Sequence, residues 1–294
     1  MIIVKLVGGL GNQMFQYATG RKLALLKNTE LYIDTSFLDK NPDGAYTKRN
    51  LELNVFNLSL KIASQNDIEK FKINSSNKYS RVLQRNFPFL FKNLYVAESG
   101  VGYNNQFLNF QDNTYLDGFW QSEKYFENIK PILCKEFSPK EPINSENNKW
   151  LEKIKSCISI SIHVRRGDYI TSKEALNFHG LCDISYYENA INIIKESIVE
   201  IELFVFSDDL EWCKDNFKFL EKTHFVDSNQ NVNFHLDLFL MSNCKHNIIA
   251  NSSFSWWSAF LNQNNEKIVV APKKWFSNSD IETKDLFPSQ WKII

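Results

Sequence analysis

The second half of the chain alternates short apolar runs with helical patterns, and this alternation limits the available folds more than any other feature. Ile158-Ser159-Ile160-Ser161-Ile162 puts an apolar residue at every second position and predicts a strand over 158–164. A helical pattern follows at about 184–197. Ile201 to Phe206 predicts the next strand, with Leu210 to Asn216 as its helix. Asn233 to Ser242 predicts another helix, His246 to Ala250 a strand, a helix begins near Phe254, and Lys267 to Ala271 predicts a last strand. Strands that alternate with helices build a parallel, doubly wound sheet. The expected class is α/β.

Three of these strands end in polar loops: His163 to Asp168, Ser207 to Asp209, and Asn251 to Ser253. In a parallel sheet all three share the carboxyl edge, where open α/β folds bind ligands. Helix capping explains one Ser, Asp or Asn in each loop. It does not explain two arginines, two aspartates and two serines together. The arginine fork matches phosphate oxygens and stays charged at any working pH, so the convergence predicts a nucleotide diphosphate. Strand parity puts His163 and Arg165 on one face and Arg166 on the other, with Ile162 and Val164. Arg165 is then the phosphate contact and Arg166 its structural support, paired to a buried carboxylate. The plainer alternative is that both arginines only cap the sheet in salt bridges. Asp208 suits the two N–H groups of a guanine edge, and Ser252, Ser253 and the helix start at Phe254 suit phosphate oxygens. His163 is the one histidine on such a loop.

The amino terminus carries the second strong feature. Ile2 to Val7 predicts a strand, followed by Gly8-Gly9-Leu10-Gly11-Asn12-Gln13 and a helix with Phe15, Ala18, Leu23 and Leu26 as inner positions. It is neither a P-loop nor a dinucleotide fingerprint, since no Gly-Lys-Ser/Thr follows and Met14 stands in place of the third glycine. Gly9 and Gly11 allow close backbone approach, and Asn12 and Gln13 bring amides to a helix amino terminus that favours an anion. The alternative is a tight turn that binds nothing. Tyr115 to Gln121 predicts a strand and turn. Its Asp117, Trp120 and Gln121 suit a sugar, or else its aromatics are core. Pro139 to Asn148 is polar and aperiodic and reads as a linker, giving domains over 1–145 and 150–294.

Lys+Arg and Asp+Glu both count 34, so no net field recruits nucleic acid. The five cysteines form no CxxC pair, which predicts reduced thiols. No Asp-x-Asp triplet occurs and no histidines are spaced as a ligand pair, so neither metal nor cofactor is expected. No signal peptide and no run of roughly 18 apolar residues is seen, which predicts a cytoplasmic protein. The sequons at Asn57, Asn74 and Asn251 then carry no weight. Residues 61–93 carry Lys61, Lys70, Lys72, Lys78, Arg81, Arg85 and Lys92 against Asp67 and Glu69. This stretch reads first as a solvated basic helix and, in the sharper alternative, as a peripheral contact with an anionic inner membrane face.

Gly8 to Gln16, His163 to Tyr169, Phe206 to Asp209 and Asn251 to Trp257, together with Phe119 to Phe126, resemble the bacterial α-1,2-fucosyltransferases of glycosyltransferase family 11. The resemblance implies a GT-B architecture of two Rossmann-like domains facing a cleft. It implies GDP-fucose on the carboxyl-terminal domain and a galactose-ended glycan, lipid-linked in surface-polysaccharide assembly, on the amino-terminal one. It further implies inversion without a metal, Arg165 on the β-phosphate, Asp208 on guanine, and a role for the Ser252–Ser253 pair. A catalytic base is to be sought in Asp168 or Glu174, unless the leaving phosphate itself takes the proton. The alternatives are a transferase for another GDP-sugar and a non-catalytic nucleotide or glycan binder.

Overall fold

The computed structural model describes residues 1–40, 48–72, 78–87, 90–167, 170, 172–217, 222–229, 232–278 and 280–294. They divide into two compact units. Unit 1 is Met1–Phe137 with Glu282–Phe287, and unit 2 is Ser138–Ile281 with Pro288–Ile294. The division falls ahead of the expected linker. Its second half is not linker at all, because a helix begins at Ser145 and the Asn144 side chain caps it by accepting the Asn147 N–H.

Unit 1 contains strands β1 (Ile2–Lys5), β2 (Leu31–Asp34), β3 (Leu94–Ala97) and β4 (Thr114–Asp117). Its helices are α1 (Leu10–Leu26), α2 (Ser36–Lys40), α3 (Gln65–Lys72), α4 (Lys78–Asn86) and α5 (Lys130–Glu136). The strands pair in parallel in the order β2-β1-β4-β3. Ile2, Ile3 and Val4 of the central strand are fully buried, so an unbroken apolar run is what this position demands. Phe15, Ala18 and Leu23 of α1 pack inward as expected, whereas Leu26 is exposed in its last turn. The returning segment 282–287 is tied in by Asp285. Its carboxylate accepts the Tyr103 N–H at 2.9 Å and pairs with Lys124 at 2.5 Å.

Unit 2 contains α6 (Ser145–Lys155), β5 (Ser159–Val164), α7 (Lys173–His179), α8 (Ile184–Lys195), β6 (Glu202–Ser207), α9 (Leu210–Asn216), β7 (Thr223–Phe225), α10 (Phe234–Ser242), β8 (His246–Ile248), α11 (Ser253–Leu261), β9 (Val269–Ala271) and β10 (Lys292–Ile293). All six strands are parallel, in the order β10-β9-β8-β5-β6-β7. Counted from β5, this is the 3-2-1-4-5-6 order of a Rossmann sheet. Ile160, Ile162 and Val164 join Leu203, Val205 and Ile191 in a core on one face. Phe204 and Phe206 meet Leu240, Met241 and Ile154 on the other. The serines that alternate with the isoleucines in β5 are buried too. Ser159 Oγ accepts the Lys245 N–H at 3.1 Å and Ser161 Oγ accepts Asn247 Nδ2 at 2.7 Å, so the polar half of the alternation marks a hydrogen-bonded face, not a solvated one.

Candidate active site

In unit 2 the chain winds from β5 through β6 to β7, then returns past β5 to start β8 on its other side. The winding direction therefore reverses between β5 and β8, and such a reversal opens a crevice beyond the strand ends. The loops after β5, β6 and β8 are the three polar loops read from the sequence.

Arg165 Nη1 lies 2.8 Å from Asp208 Oδ2, and the Asp208 Oδ1 accepts the Arg166 N–H at 2.8 Å. Asp208 thus holds the turn after β5 through backbone and side chain together. Gly167 has to be small here, since a Cβ on it would come within 2.8 Å of the same carboxylate. Both members of the ion pair are about a quarter exposed, so the pair faces water and its guanidinium can exchange partners.

Arg166 points to the other face, as parity requires. Its guanidinium lies 3.8 Å over the Trp212 ring, and Nε is 3.2 Å from Asp209 Oδ2. Trp212 packs against the same core as Val164. The expected buried carboxylate is corrected here: Asp209 is one-third exposed and caps α9 by accepting the Trp212 N–H.

His163 is 94% buried by the strand and by Phe254, its ring centroid 5.6 Å from that of the phenylalanine. Burial pushes its pKa down to about 4, with Asp208 opposing and Arg165 adding to the shift. The ring is neutral near pH 7, and its Nδ1 has no hydrogen-bond partner among the described residues. Ser252 occupies the N-cap of α11, yet its side chain makes no cap bond. Ser253 and Phe254 form the first turn, so a cap hydroxyl and helix N–H groups stand beside His163 at the reversal.

Glu174 does not join this group in the same way. It is exposed in the first turn of α7, where the Ser172 hydroxyl donates to it at 3.1 Å. Asp168 lies outside the described residues. Among the described residues no three His, Cys, Asp or Glu side chains are grouped to hold a metal ion, and no helix is long and apolar enough to cross a membrane.

The chain matches glycosyl transferase family 11 over residues 1–294. It belongs to that family. A relative from Escherichia coli, an α-1,2-colitosyltransferase, is 34% identical over 99% of this chain and 98% of its own length. The galactoside α-(1,2)-fucosyltransferase 2 of Rattus norvegicus is 22% identical over 89% of this chain and 67% of its own length. Among solved structures, a variant of Arabidopsis thaliana FUT1 in complex with GDP superposes with a TM-score of 0.54 at 11% identity, over 98% of this chain and 74% of that one. The fold is the GT-B type, built from two Rossmann-like units.

The family's glycine turn in unit 1 is built differently from expectation. The residue that needs to be glycine is Gly8, with φ +80°, while Gly9 sits at −79° as the N-cap of α1 and Gly11 is buried in its first turn. Gln13 is fully buried. Its Nε2 donates to the Gly8 and Asn50 carbonyls, both at 2.8 Å, and its Oε1 accepts the Glu52 N–H at 2.9 Å. The expected anion contact by Gln13 is therefore corrected to a brace between the turn and residues 50–52. Asn12 accepts Gln121 Nε2 at 2.8 Å, which binds the turn to the loop after β4.

That loop also corrects the sugar-stacking reading. Trp120 is fully buried, edge-on to Tyr125 at 5.4 Å, with φ +56°. It is core. Asp117 bonds Lys5 at 3.1 Å and the Tyr95 hydroxyl. Sequence reasoning missed Glu98, whose carboxylate accepts the N–H groups of Phe119 and Trp120 at 2.6 and 3.0 Å. Burial raises its pKa, and those two bonds oppose the rise.

Proposed function

We propose that this protein is a galactoside α-1,2-fucosyltransferase that moves fucose from GDP-fucose to the 2-hydroxyl of a terminal β-galactose, inverting the anomeric carbon without a metal or cofactor. The observation that carries this reading is the half-open Arg165–Asp208 pair at the strand-order reversal. As the bond to fucose breaks, its electron pair stays on the β-phosphate, and a fixed guanidinium stabilises that charge. Arg165 exchanges Asp208 for the diphosphate. Ser252, Ser253 and the start of α11 at Phe254 add hydroxyl and N–H donors, as helix amino termini do for anions. Asp208, once released, is the acceptor for the guanine edge. Neutral His163 offers its unpartnered nitrogen to the same ligand. The hydroxyl proton goes to Asp168 or to the leaving phosphate, since exposed Glu174 is the weaker base candidate. The acceptor is assigned to unit 1 by the family resemblance alone.

The identity to a colitosyltransferase favours one second reading, in which the donor sugar is colitose. The test supplies GDP-fucose, GDP-colitose or GDP-mannose with a β-galactoside in the presence of EDTA, and reads the product linkage by NMR. Fucose on the galactose 2-hydroxyl is expected. Transfer of colitose alone would replace the donor assignment, and activity restored only by manganese or magnesium would remove the metal-free mechanism. Thermal protection by GDP beyond that by UDP is expected from mass action on the folded state, and equal protection would remove guanine recognition.

A further inference from the structure

Adjacent residues of the loop after β8 do different work. Ser252 holds the N-cap position of α11 with no cap bond from its side chain, and Ser253 and Phe254 begin the helix beside His163. Asn251, one residue earlier, is 2% exposed and its amide is fully engaged. Nδ2 donates to the His179 carbonyl at 2.9 Å and lies 3.4 Å from the carbonyls of Gly180 and Trp275. Oδ1 accepts the Cys182 thiol at 3.6 Å. One side chain thus joins the loop to partners 24 to 72 residues away in the chain.

The partners form a frame of their own. His179 and Gly180 stand at the end of α7, where helix carbonyls need donors from outside the helix. Ser277 serves two more of them: its N–H donates to the Phe178 carbonyl at 2.8 Å and its hydroxyl to the Leu176 carbonyl at 3.4 Å. The Phe178 ring packs edge-on against Phe276, with centroids 5.3 Å apart. Gly180 has φ +70°, and a Cβ on it would stand 3.0 Å from Ser277 Oγ, so this corner takes glycine without strain and little else. The end of α7 and residues 275–277, which follow β9, therefore brace each other, and Asn251 ties the loop after β8 to both. The bonds of Ser252 itself are local. Its N–H donates to the Ala250 carbonyl at 2.8 Å, and its carbonyl accepts the Trp256 N–H at 3.0 Å and the Ser255 hydroxyl at 3.2 Å. Those bonds shape the turn. Its place in the unit is set by β8 and by the Asn251 amide.

We infer that Asn251 is a positioning residue, holding the Ser252–Ser253 turn where its hydroxyls and the first N–H groups of α11 meet the donor diphosphate. The inference rests on the assignment of those donors to GDP-fucose. Uncharged donors act on a phosphate only when aimed, and supporting hydrogen bonds keep the aim. The test is calorimetric titration of GDP into the full chain. Asn251→Ala should raise the GDP Kd about tenfold, the effect of losing one buried hydrogen bond, with stoichiometry near one. The donor KM should rise by a similar factor while the acceptor KM changes by less than about twofold. A residue that only supports folding would lower the stoichiometry and the melting temperature and leave the Kd of the folded fraction as it was, and that outcome overturns the inference. Gly180→Ala strains the receiving carbonyls without touching Asn251 and should raise the Kd about threefold. It decides the matter if Asn251→Ala fails to fold, and an unchanged Kd in it would also overturn the inference. Wild type that binds no GDP removes the donor assignment and this inference with it. Wild-type GDP binding that both variants retain in full removes this inference alone.

Discussion

The central strand pair of each unit, β1 and β4 in unit 1 and β5 and β8 in unit 2, ends in polar loops, and the two sets of loops are finished in opposite ways. In unit 1 the polar groups satisfy one another. Gln13 uses its amide on three backbone groups, Gln121 is spent on Asn12, and Gln16 bridges the Val7 N–H and the Gly118 carbonyl. The two N–H groups beyond β4 already hold the carboxyl group of Glu98. In unit 2 the polar groups meet in an exchangeable pair, Ser252 makes no cap bond, and His163 keeps an unpartnered nitrogen. Polar loops at central strand ends form a brace in one unit and an exchangeable donor set in the other. A glycine-rich turn at such a point is therefore weak grounds for a ligand until the partners of its amides are known.

The sharpest way to break this contrast is at Arg165. Arg165→Ala should lower kcat/KM for transfer by about 10²–10³, the range seen when one electrostatic donor to a developing oxyanion is lost. Its melting temperature should stay close to wild type, because the pair it breaks is solvated. A large drop in stability with modest loss of transfer would mean that unit 2 is braced as unit 1 is. Trp120→Ala is the counterpart in unit 1. It should cost about 3–5 kcal/mol of stability, as removal of a fully buried tryptophan does. Acceptor KM should not change selectively, and a selective rise would restore the sugar-stacking role.

Acid should weaken unit 2 through His163. Its folded pKa of about 4 lies below the ordinary 6.5, so the unfolded chain binds the extra proton first as pH falls. Stability from this group is complete above pH 6.5 and declines as pH falls toward 4, by about 3 kcal/mol at most. Urea titrations of wild type and His163→Gln across that range should converge as pH falls, and parallel curves would mean that the ring is not buried neutral. Glu98 in unit 1 has the opposite sign: its raised folded pKa means that stability declines as pH rises through it. The smallest effect belongs to Arg166→Ala. Its stacking on Trp212 and its half-solvated pair with Asp209 together suggest about 1–2 kcal/mol in chemical unfolding, less than a fully buried ion pair would cost. A loss of transfer as large as that of Arg165→Ala would erase the distinction that parity draws between the two arginines.

The parts of the fold that were legible are those whose burial is uniform. β5, β6, β8 and β9 and helices α8 to α11 emerged from the sequence to within a few residues at their ends, because central parallel strands must be apolar and the helices packed on them carry enough apolar residues to be read. The expected strands did not include β2, Leu31–Asp34, β3, Leu94–Ala97, β7, Thr223-His224-Phe225, or β10, Lys292-Ile293. All four are edge strands of four residues or fewer, too short to show a period. At the candidate site, Arg165, Asp208, Ser252 and Ser253 stand where the sequence put them, at the ends of readable strands. Gln13 was misread and Trp120 left open between sugar contact and core for one reason. A sequence shows that an amide or an indole is present at a turn, but not that its partners arrive from residues 50–52 or from Tyr125. Glu98 was missed because nothing near it in sequence marks the N–H groups of residues 119 and 120 as its partners.

The return of Glu282–Phe287 to unit 1 bears on how the molecule is made. A chain synthesised from its amino terminus normally completes and folds its first unit before the second leaves the ribosome. Here Tyr103 and Lys124 must wait for Asp285, more than 160 residues later. Strand β10, which adds to β9 as the last element of the sheet in unit 2, emerges later still. Neither unit reaches its final form until residues 282–293 have been made, so both are first present as unfinished pieces that a protease or chaperone can engage. Truncation after Ile281 would therefore leave both units incomplete at once: unit 1 without residues 282–287 and unit 2 without β10.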